Sequence, residues 1–571
     1  MLGMHIHVVP NRGSTPTVLL RESVRVGDKV RKRTLANLSS LTADQIEGIR
    51  AVLRGERLAP VEGLFEVVGS RHHGHVQAVL LAMRRLGFES LIASRPSRER
   101  NLTVAMVAAR ILQPCSKLAT TRWWHDTTLP ESLGVSDARE EDLYKAMDWL
   151  LSRQDHIEKK LAARHLTEGG LVLYDLSSSY FEGTTCPLAA LGHNRDGKRG
   201  KLQVNYGLLT DRRGCPVAVS VFKGNTNDPK TLLPQVQRVR DEFGIEELVL
   251  VGDRGMISQK QIDALKGMKG VEWITALRTE AIRELVESKA LQLGLFDERN
   301  LFELTHPDFP GERLVACRNP ELAKARAHKR QALLDATVME LEKVKRMVAR
   351  GRLHGKAAIG VRVGKVVNKY KVAKHIELDI RDDAFEALIN RERVAAEAAL
   401  DGIYVLRTRL PAERLSVDDT VRSYKRLANV ERAFRSLKTV DLDVRPIHHR
   451  LEGRVRAHIF LCMLAQYVRW HMQEAWRPLL FCDEDQKAKE TRDPVAPAQR
   501  SEEASRKASE KTLEDGTPVH SFRTQLDHLR TIVRNRCRRP DARDPAATLD
   551  IDTTPSREQR RAFDLLEAMT L

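Results

Sequence analysis

A chain of 571 residues is too long for one hydrophobic core, so three or four domains are expected. Its 42% hydrophobic content excludes a largely disordered chain, and no stretch approaches the roughly 18 consecutive apolar residues of a helical membrane span. Lys and Arg outnumber Asp and Glu by 95 to 77, a net charge of +18, which points either to a polyanionic partner such as nucleic acid or to an ordinary soluble basic surface.

The seven cysteines are scattered with no C-x-x-C spacing, so neither a disulfide framework nor a zinc ribbon is indicated. They read as reduced thiols of a cytosolic protein. The N-terminal residues lack a basic segment followed by an apolar run, so no secretory signal is expected.

Residues 1–40 read as an N-terminal β segment: His5–Val9, Thr17–Glu22 and Lys29–Thr34, the last two separated by a Gly27-Asp28 turn. Residues 41–165 read as helical. Thr42 followed by Gln45 three residues on is a capping box, and His75–Leu86 and Thr103–Leu112 carry helix-period apolar residues. The Trp123-Trp124 pair reads as core rather than DNA-facing.

Residues 166–270 change character. The apolar runs Leu171–Leu176 and Leu248–Val251 predict buried strands of a parallel or mixed sheet. Between them Leu202–Leu209 and Pro216–Phe222 predict a hairpin, and Asn227-Asp228-Pro229 starts a helix. The order strand, hairpin, helix, strand, helix is that of an α/β mixed sheet.

Residues 271–418 read as a mixed β/α insertion domain. Glu272–Leu277, Leu314–Cys317 and Gly402–Thr408 look strand-like. A long helix over about Pro320–Arg350 carries Leu334, Val338, Leu341, Val344 and Val348 at spacings of three and four, and Gly360–Ile380 reads as a basic β-ribbon. Residues 419–476 predict two helices about the bend Val444-Arg445-Pro446-Ile447. Residues 477–520 read as a polar linker and 521–571 as a C-terminal helical tail.

Three acids carry the chemistry. Asp175 and Asp253 end apolar runs, where open α/β sheets place their ligand sites. A carboxylate there must be solvated, capped or metal-bound, because burying it bare is costly. Glu431 lies on an amphipathic segment in which Tyr424, Glu431 and Lys438 fall seven residues apart beside the stripe Leu427, Val430, Phe434 and Leu437. An ordinary surface helix with a Glu431–Arg435 pair fits that spacing equally. Phosphodiester cleavage gives three such acids a use: two Mg²⁺ ions about 4 Å apart activate the attacking oxygen and stabilise the leaving one, held by hard oxygen ligands.

Several blocks, taken in order, resemble the bacterial insertion-sequence DDE transposases whose signature is tyrosine, arginine, glutamate and lysine, the insertion-sequence-four superfamily. They are Tyr174-Asp175-Leu-Ser-Ser-Ser-Tyr180-Phe-Glu-Gly183, Gly224-Asn-Thr-Asn-Asp228, Val251-Gly-Asp253-Arg-Gly-Met256, Asp401–Thr408 and Tyr424–Lys438 with Arg445–Arg450 and Arg454–His458. The resemblance covers about residues 170–475 and implies a ribonuclease-H-like mixed-sheet catalytic core (166–270 and 419–476), interrupted by the insertion domain. The mainly helical region 41–165, which precedes that core, is expected to bind the DNA ends, the alternative being a dimerisation or packing domain. The resemblance carries further expectations. It implies that Asp175, Asp253 and Glu431 are catalytic and hold two Mg²⁺ ions, with Mn²⁺ as substitute. It implies cleavage of the DNA at element ends and joining of the 3' ends to target DNA by a homodimer, in the bacterial cytoplasm at the nucleoid, with no membrane and no small-molecule substrate. Tyr424 and Lys438 match the signature. Its arginine is replaced by Leu427, so phosphate binding falls to Arg426, Arg432 or Arg435. In such enzymes the insertion supplies an aromatic that stacks on a flipped base, which makes Trp273 a candidate beside the alternative that it is core. Other readings are a catalytically inactive DNA-binding derivative and another ribonuclease-H-like nuclease.

Overall fold

The computed structural model describes residues 2–56, 65–496, 499–540 and 547–570. Parts of the expected helical region (57–64), linker (497–498) and tail (541–546) lie outside them. The chain divides into two compact units, one of residues 1–71 and 533–553, the other of 72–532 and 554–571.

In the first unit, Leu2–Val9, Thr17–Val26 and Lys29–Asn37 form an antiparallel three-stranded sheet, and the Val26–Lys29 pair closes the Gly27-Asp28 turn. The helix Ala43–Leu53 begins at the Thr42 and Gln45 capping box, each side chain taking the other's backbone N–H. A second sheet joins Glu66–His72, Val533–Arg538 and Thr548–Asp552. The tail expected to be helical therefore contains two strands. Arg534 pairs with Asp552 at 2.7 Å, one of the cross-strand charge pairs that lets this polar sequence form a ladder.

The second unit is built on an eight-stranded mixed sheet. After the helices Gly74–Arg85 and Phe88–Ile92, its principal elements in chain order are α1 (Arg98–Leu112), α2 (Glu140–Leu151), α3 (Gln154–His165), β1 (Gly170–Tyr180), β2 (Gln203–Thr210), β3 (Pro216–Lys223), α4 (Asp228–Asp241), β4 (Leu248–Val251) and β5 (Val271–Ala276). They continue with β6 (Leu301–Leu304), β7 (Arg313–Arg318), α5 (Pro320–Ala349), α6 (Lys356–Tyr370), β8 (Ile403–Thr408), α7 (Val417–Lys425), α8 (Leu427–Arg435) and α9 (Glu452–Ala475). The strand order is β6-β7-β8-β5-β4-β1-β2-β3, with β1, β4 and β5 parallel and the other neighbours antiparallel.

Several expectations are corrected. The helical region is not separately cored: α1 and α2 pack on α9, and their apolar residues join those of β1 to β5 in one cluster. Gln154 donates to the Val219 carbonyl at 2.9 Å, and the Val219 N–H donates to the buried Glu158 at 3.0 Å, tying α3 to β3. The insertion is also smaller than expected. Strands β5 to β8 continue the central sheet, because the free edge of β4 needs a hydrogen-bonding partner.

The true excursion is α5, α6 and the ribbon Ile376–Ile380 with Phe385–Ile389, which enclose a small core of their own. The expected β-ribbon over Gly360–Ile380 is largely α6, whose buried Ile359, Val363 and Val367 recur every four residues and so mark one helix face. The polar linker is partly ordered into the protein: Val495 packs with Val421, and Lys507 is buried among Glu484 and Glu503. Among the described residues, no helix is long and apolar enough to cross a membrane.

Candidate active site

Asp175 does not end its strand as expected. Strand β1 runs on to Tyr180 because antiparallel β2 stays paired with it throughout, whereas parallel β4 stops opposite Leu173. The carboxylate thus emerges where the sheet loses one neighbour. Tyr174, on the opposite face, lies over Gly207 of β2, where an added Cβ would come within 2.1 Å of its hydroxyl. Asp175 is half-buried, and its Oδ1 accepts the Leu176 N–H at 2.8 Å. Its carboxyl is pushed up to about 7, first by burial and then by the negative charges of Asp253 and Glu431; the Leu176 N–H and Arg195 oppose the shift.

Asp253 follows β4 after Gly252 and is exposed. Its Oδ1 accepts the N–H groups of Gly255 at 3.1 Å and Met256 at 2.7 Å, which folds the following turn. Glu431 projects from α8 and is also exposed. Two acids from separate elements, Asp253 and Glu431, therefore act on the Asp175 carboxyl. Among the described residues their oxygens do not all close to within 4.8 Å of one another.

The segment expected as one helix is broken. Helix α7 ends at Lys425, α8 begins at Leu427, and Ser436–Val440 forms a π turn. Tyr424 still reaches the acids: its hydroxyl is pushed up to about 12 by burial, then by Asp253 and Glu431, with Arg254 opposing. Arg426 faces a different set of charges. Burial and Arg212 lower its pKa, and its acidic neighbours are Glu490 at 3.9 Å, Asp419 and Asp211. Arg432 and Arg435 are exposed and, among the described residues, have no ion-pair partner. Lys438 is 9% exposed, and its Nζ lies 3.0 Å from the buried Asp196, which also binds Arg445 and takes the Tyr180 N–H at 2.9 Å.

The base-stacking expectation for Trp273 is overturned. Its indole is 0% exposed in β5, paired in register with Leu250, and the Arg409 guanidinium covers it at 5.2 Å. A Trp among strand residues of a buried sheet face has no surface to offer a base, so it is core.

Sequence reasoning missed Arg195, Asp196, Asp228 and Arg254. Arg195 binds Asp228 at 2.5 Å and partly offsets the acids at Asp175. The available signal for Arg195 and Asp196 was Gly192–Lys201, a glycine-rich stretch with one histidine, two arginines and two lysines.

The profile described as Transposase DDE domain matches residues 179–468, which include Asp253 and Glu431 and begin just after Asp175. A second, described as the N-terminal domain of the IS1634 family transposases, matches residues 6–60. No curated protein sequence matches the chain. Among solved structures, the piggyBac transposase synaptic complex with hairpin DNA aligns at 10% identity and a TM-score of 0.32, covering 80% of this chain and 77% of that chain.

Proposed function

The chain belongs to the DDE-domain transposases of insertion sequences, and from that premise we propose that it cleaves DNA at the ends of a mobile element and joins the freed 3' ends to target DNA. One observation carries the reading: acids from β1, the β4 turn and α8 bear on one spot, and the Asp175 carboxyl is held well above its ordinary range there. A partly buried carboxylate flanked by two further acids suits a divalent cation, and an all-oxygen donor set suits Mg²⁺, with Mn²⁺ as substitute. Asp175, Asp253 and Glu431 are the residues that would hold two ions. When bound, the ions supply charge stabilisation for the attacking and leaving oxygens of an in-line displacement.

The protein's own groups do the rest. Asp253 is pre-aimed by the two N–H groups of its turn. Exposed Arg432, Arg435 and Arg254 beside the acids bind the flanking phosphates, and Tyr424 lines the same wall. Asp196 with Lys438 and Arg445 anchors the loop that carries Arg195. In this reading β1 to β5 with α8 are a ribonuclease-H-like core of the insertion-sequence-four superfamily. The helical layer reads element ends, two copies act together, and the work is done in the bacterial cytoplasm.

The test pairs a gel shift with a nicking assay on element-end DNA. Asp175→Asn, Asp253→Asn and Glu431→Gln should each lose at least about 100-fold in nicking while binding persists, because the lost stabilisation is specific to the reacting phosphate. Retained nicking in any one variant removes that residue from the site.

A further inference from the structure

A second cluster lies outside the acidic site. His165 is the last residue of α3, Cys215 closes the turn between β2 and β3, and His471 lies near the end of α9. Among the described residues this is the one group of His, Cys, Asp or Glu side chains whose ligand atoms all lie within 4.8 Å of one another. Cys215 is fully buried, His471 is buried and His165 is half-buried. The Cys215 Sγ lies 3.7 Å from His471 Nε2. Metal bonds of about 2.3 Å to sulfur and about 2.0 Å to nitrogen, at a tetrahedral angle, put those atoms about 3.5 Å apart.

We propose that His165, Cys215 and His471 bind a zinc ion that ties the β2–β3 turn to the ends of α3 and α9. One thiolate and two imidazoles form a borderline-soft set, which selects zinc over magnesium. The surroundings suit the task. His471 is buried and His165 half-buried, and the neutral imidazole is the form that ligates. Burial holds the Cys215 thiol protonated, so binding forms the zinc–sulfur bond, breaks the S–H bond and releases the proton to solvent.

The turn is already shaped for this. Asp211 Oδ1 accepts the N–H groups of Arg213 at 2.8 Å and Cys215 at 2.9 Å, and its negative charge bears on both His165 and Cys215. Tyr467 Oη lies 3.1 Å from His165 Nε2 and orients that ring. Three protein ligands leave a fourth position for water, entering at the half-exposed His165. The ion would also stiffen the acidic site, because Gly214 in this turn abuts Asn429, two residues before Glu431 on α8.

The test uses the full-length chain and needs no DNA. Zinc per chain is measured after gel filtration, and the stripped protein is then titrated with Co²⁺. About one zinc should be retained, and Co²⁺ should give a near-ultraviolet sulfur-to-metal charge-transfer band saturating at one equivalent, absent in Cys215→Ser. Carboxylates cannot produce that band, so metal at the acidic site does not mimic it. If Cys215→Ser fails to fold, zinc-edge absorption of the wild type decides, with one sulfur at about 2.3 Å and imidazole nitrogens at about 2.0 Å expected. A chain that retains no zinc, a cobalt band that survives Cys215→Ser, or a zinc shell of oxygen and nitrogen alone overturns the proposal and leaves a thiol–imidazole contact.

Discussion

Asp175, Asp253 and Glu431 hold apart as a trio, whereas His165, Cys215 and His471 close to within 4.8 Å. The contrast follows from charge. Burial first, and then the charges of Asp253 and Glu431, push the Asp175 carboxyl up, with the Leu176 N–H and Arg195 opposing, so gathering the three carboxylates more closely is unfavourable. Two neutral imidazoles and a thiol have no such repulsion and can pack together in a buried pocket with nothing bound. In the proposed reading the acidic site gathers only when a cation screens it, whereas the buried cluster is brought together by the fold itself.

A soft donor placed among the three acids should have the largest effect. Asp253→Cys should reduce Mg²⁺-supported nicking by at least about 100-fold, since Mg²⁺ binds thiolates poorly, and Mn²⁺ should restore part of it. Nicking assays in each metal check this. Full activity in Mg²⁺ would mean that Asp253 is no ligand.

Gly214 links the two regions. Its φ is +87°, and an added Cβ would lie 2.6 Å from the Asn429 Cβ on the helix of Glu431. Gly214→Ala combines a left-handed backbone with overpacking and should cost about 2–4 kcal/mol in urea unfolding. Gly134, at φ +65° with nothing within 4 Å of its added Cβ, is the control, where Ala should cost only about 1 kcal/mol. Equal losses at the two positions would mean that the Asn429 contact carries no weight.

The three acids stood out as candidates in the sequence because Asp175 and Asp253 follow apolar runs and because the surrounding blocks resemble a known order, although the strand itself runs on past Asp175. The alternation over residues 360–380 misled because period-four apolar residues look alternating when basic residues fill the gaps, and burial of Ile359, Val363 and Val367 settles it as helix. Trp273 could not be assigned from its neighbours, since the partner Leu250 that buries it is distant in sequence. The His165, Cys215 and His471 cluster was invisible for the same reason. Its members come from three elements that only the tertiary fold brings together, and no local spacing marks them.

His75 isolates the effect of burial on an imidazole. It is an imidazole 3% exposed and outside both clusters, pushed down to about 3 by burial and then by His72, Arg530, Arg523 and His73. Its folded pKa lies below the unfolded value of about 6.5, so between those values the unfolded chain binds a proton that the folded one refuses. Stability is complete above that window and falls as the pH drops through it. At pH 5 the loss should be about 2 kcal/mol, and His75→Phe should flatten the pH dependence by that amount between pH 7 and 5. Urea unfolding of both proteins across the range measures it, and parallel slopes would show that burial does not hold this ring neutral.

The smallest effect separates the exposed cations of the acidic site from the buried one. Arg432 is exposed beside Glu431, and Lys438 is committed to Asp196. If Arg432 binds a phosphate, Arg432→Ala should weaken element-end binding a few-fold and reduce the salt slope by about one, because one fewer counterion is released. Its unfolding should stay within about 0.5 kcal/mol of wild type, as expected of a surface change. Lys438→Met should do the reverse. It leaves Asp196 with Arg445 and the Tyr180 N–H and lowers stability by about 1–3 kcal/mol, with the salt slope unchanged. Gel shifts at several salt concentrations beside urea unfolding read both quantities. A drop in salt slope for Lys438→Met would mean that this lysine leaves Asp196 to meet DNA.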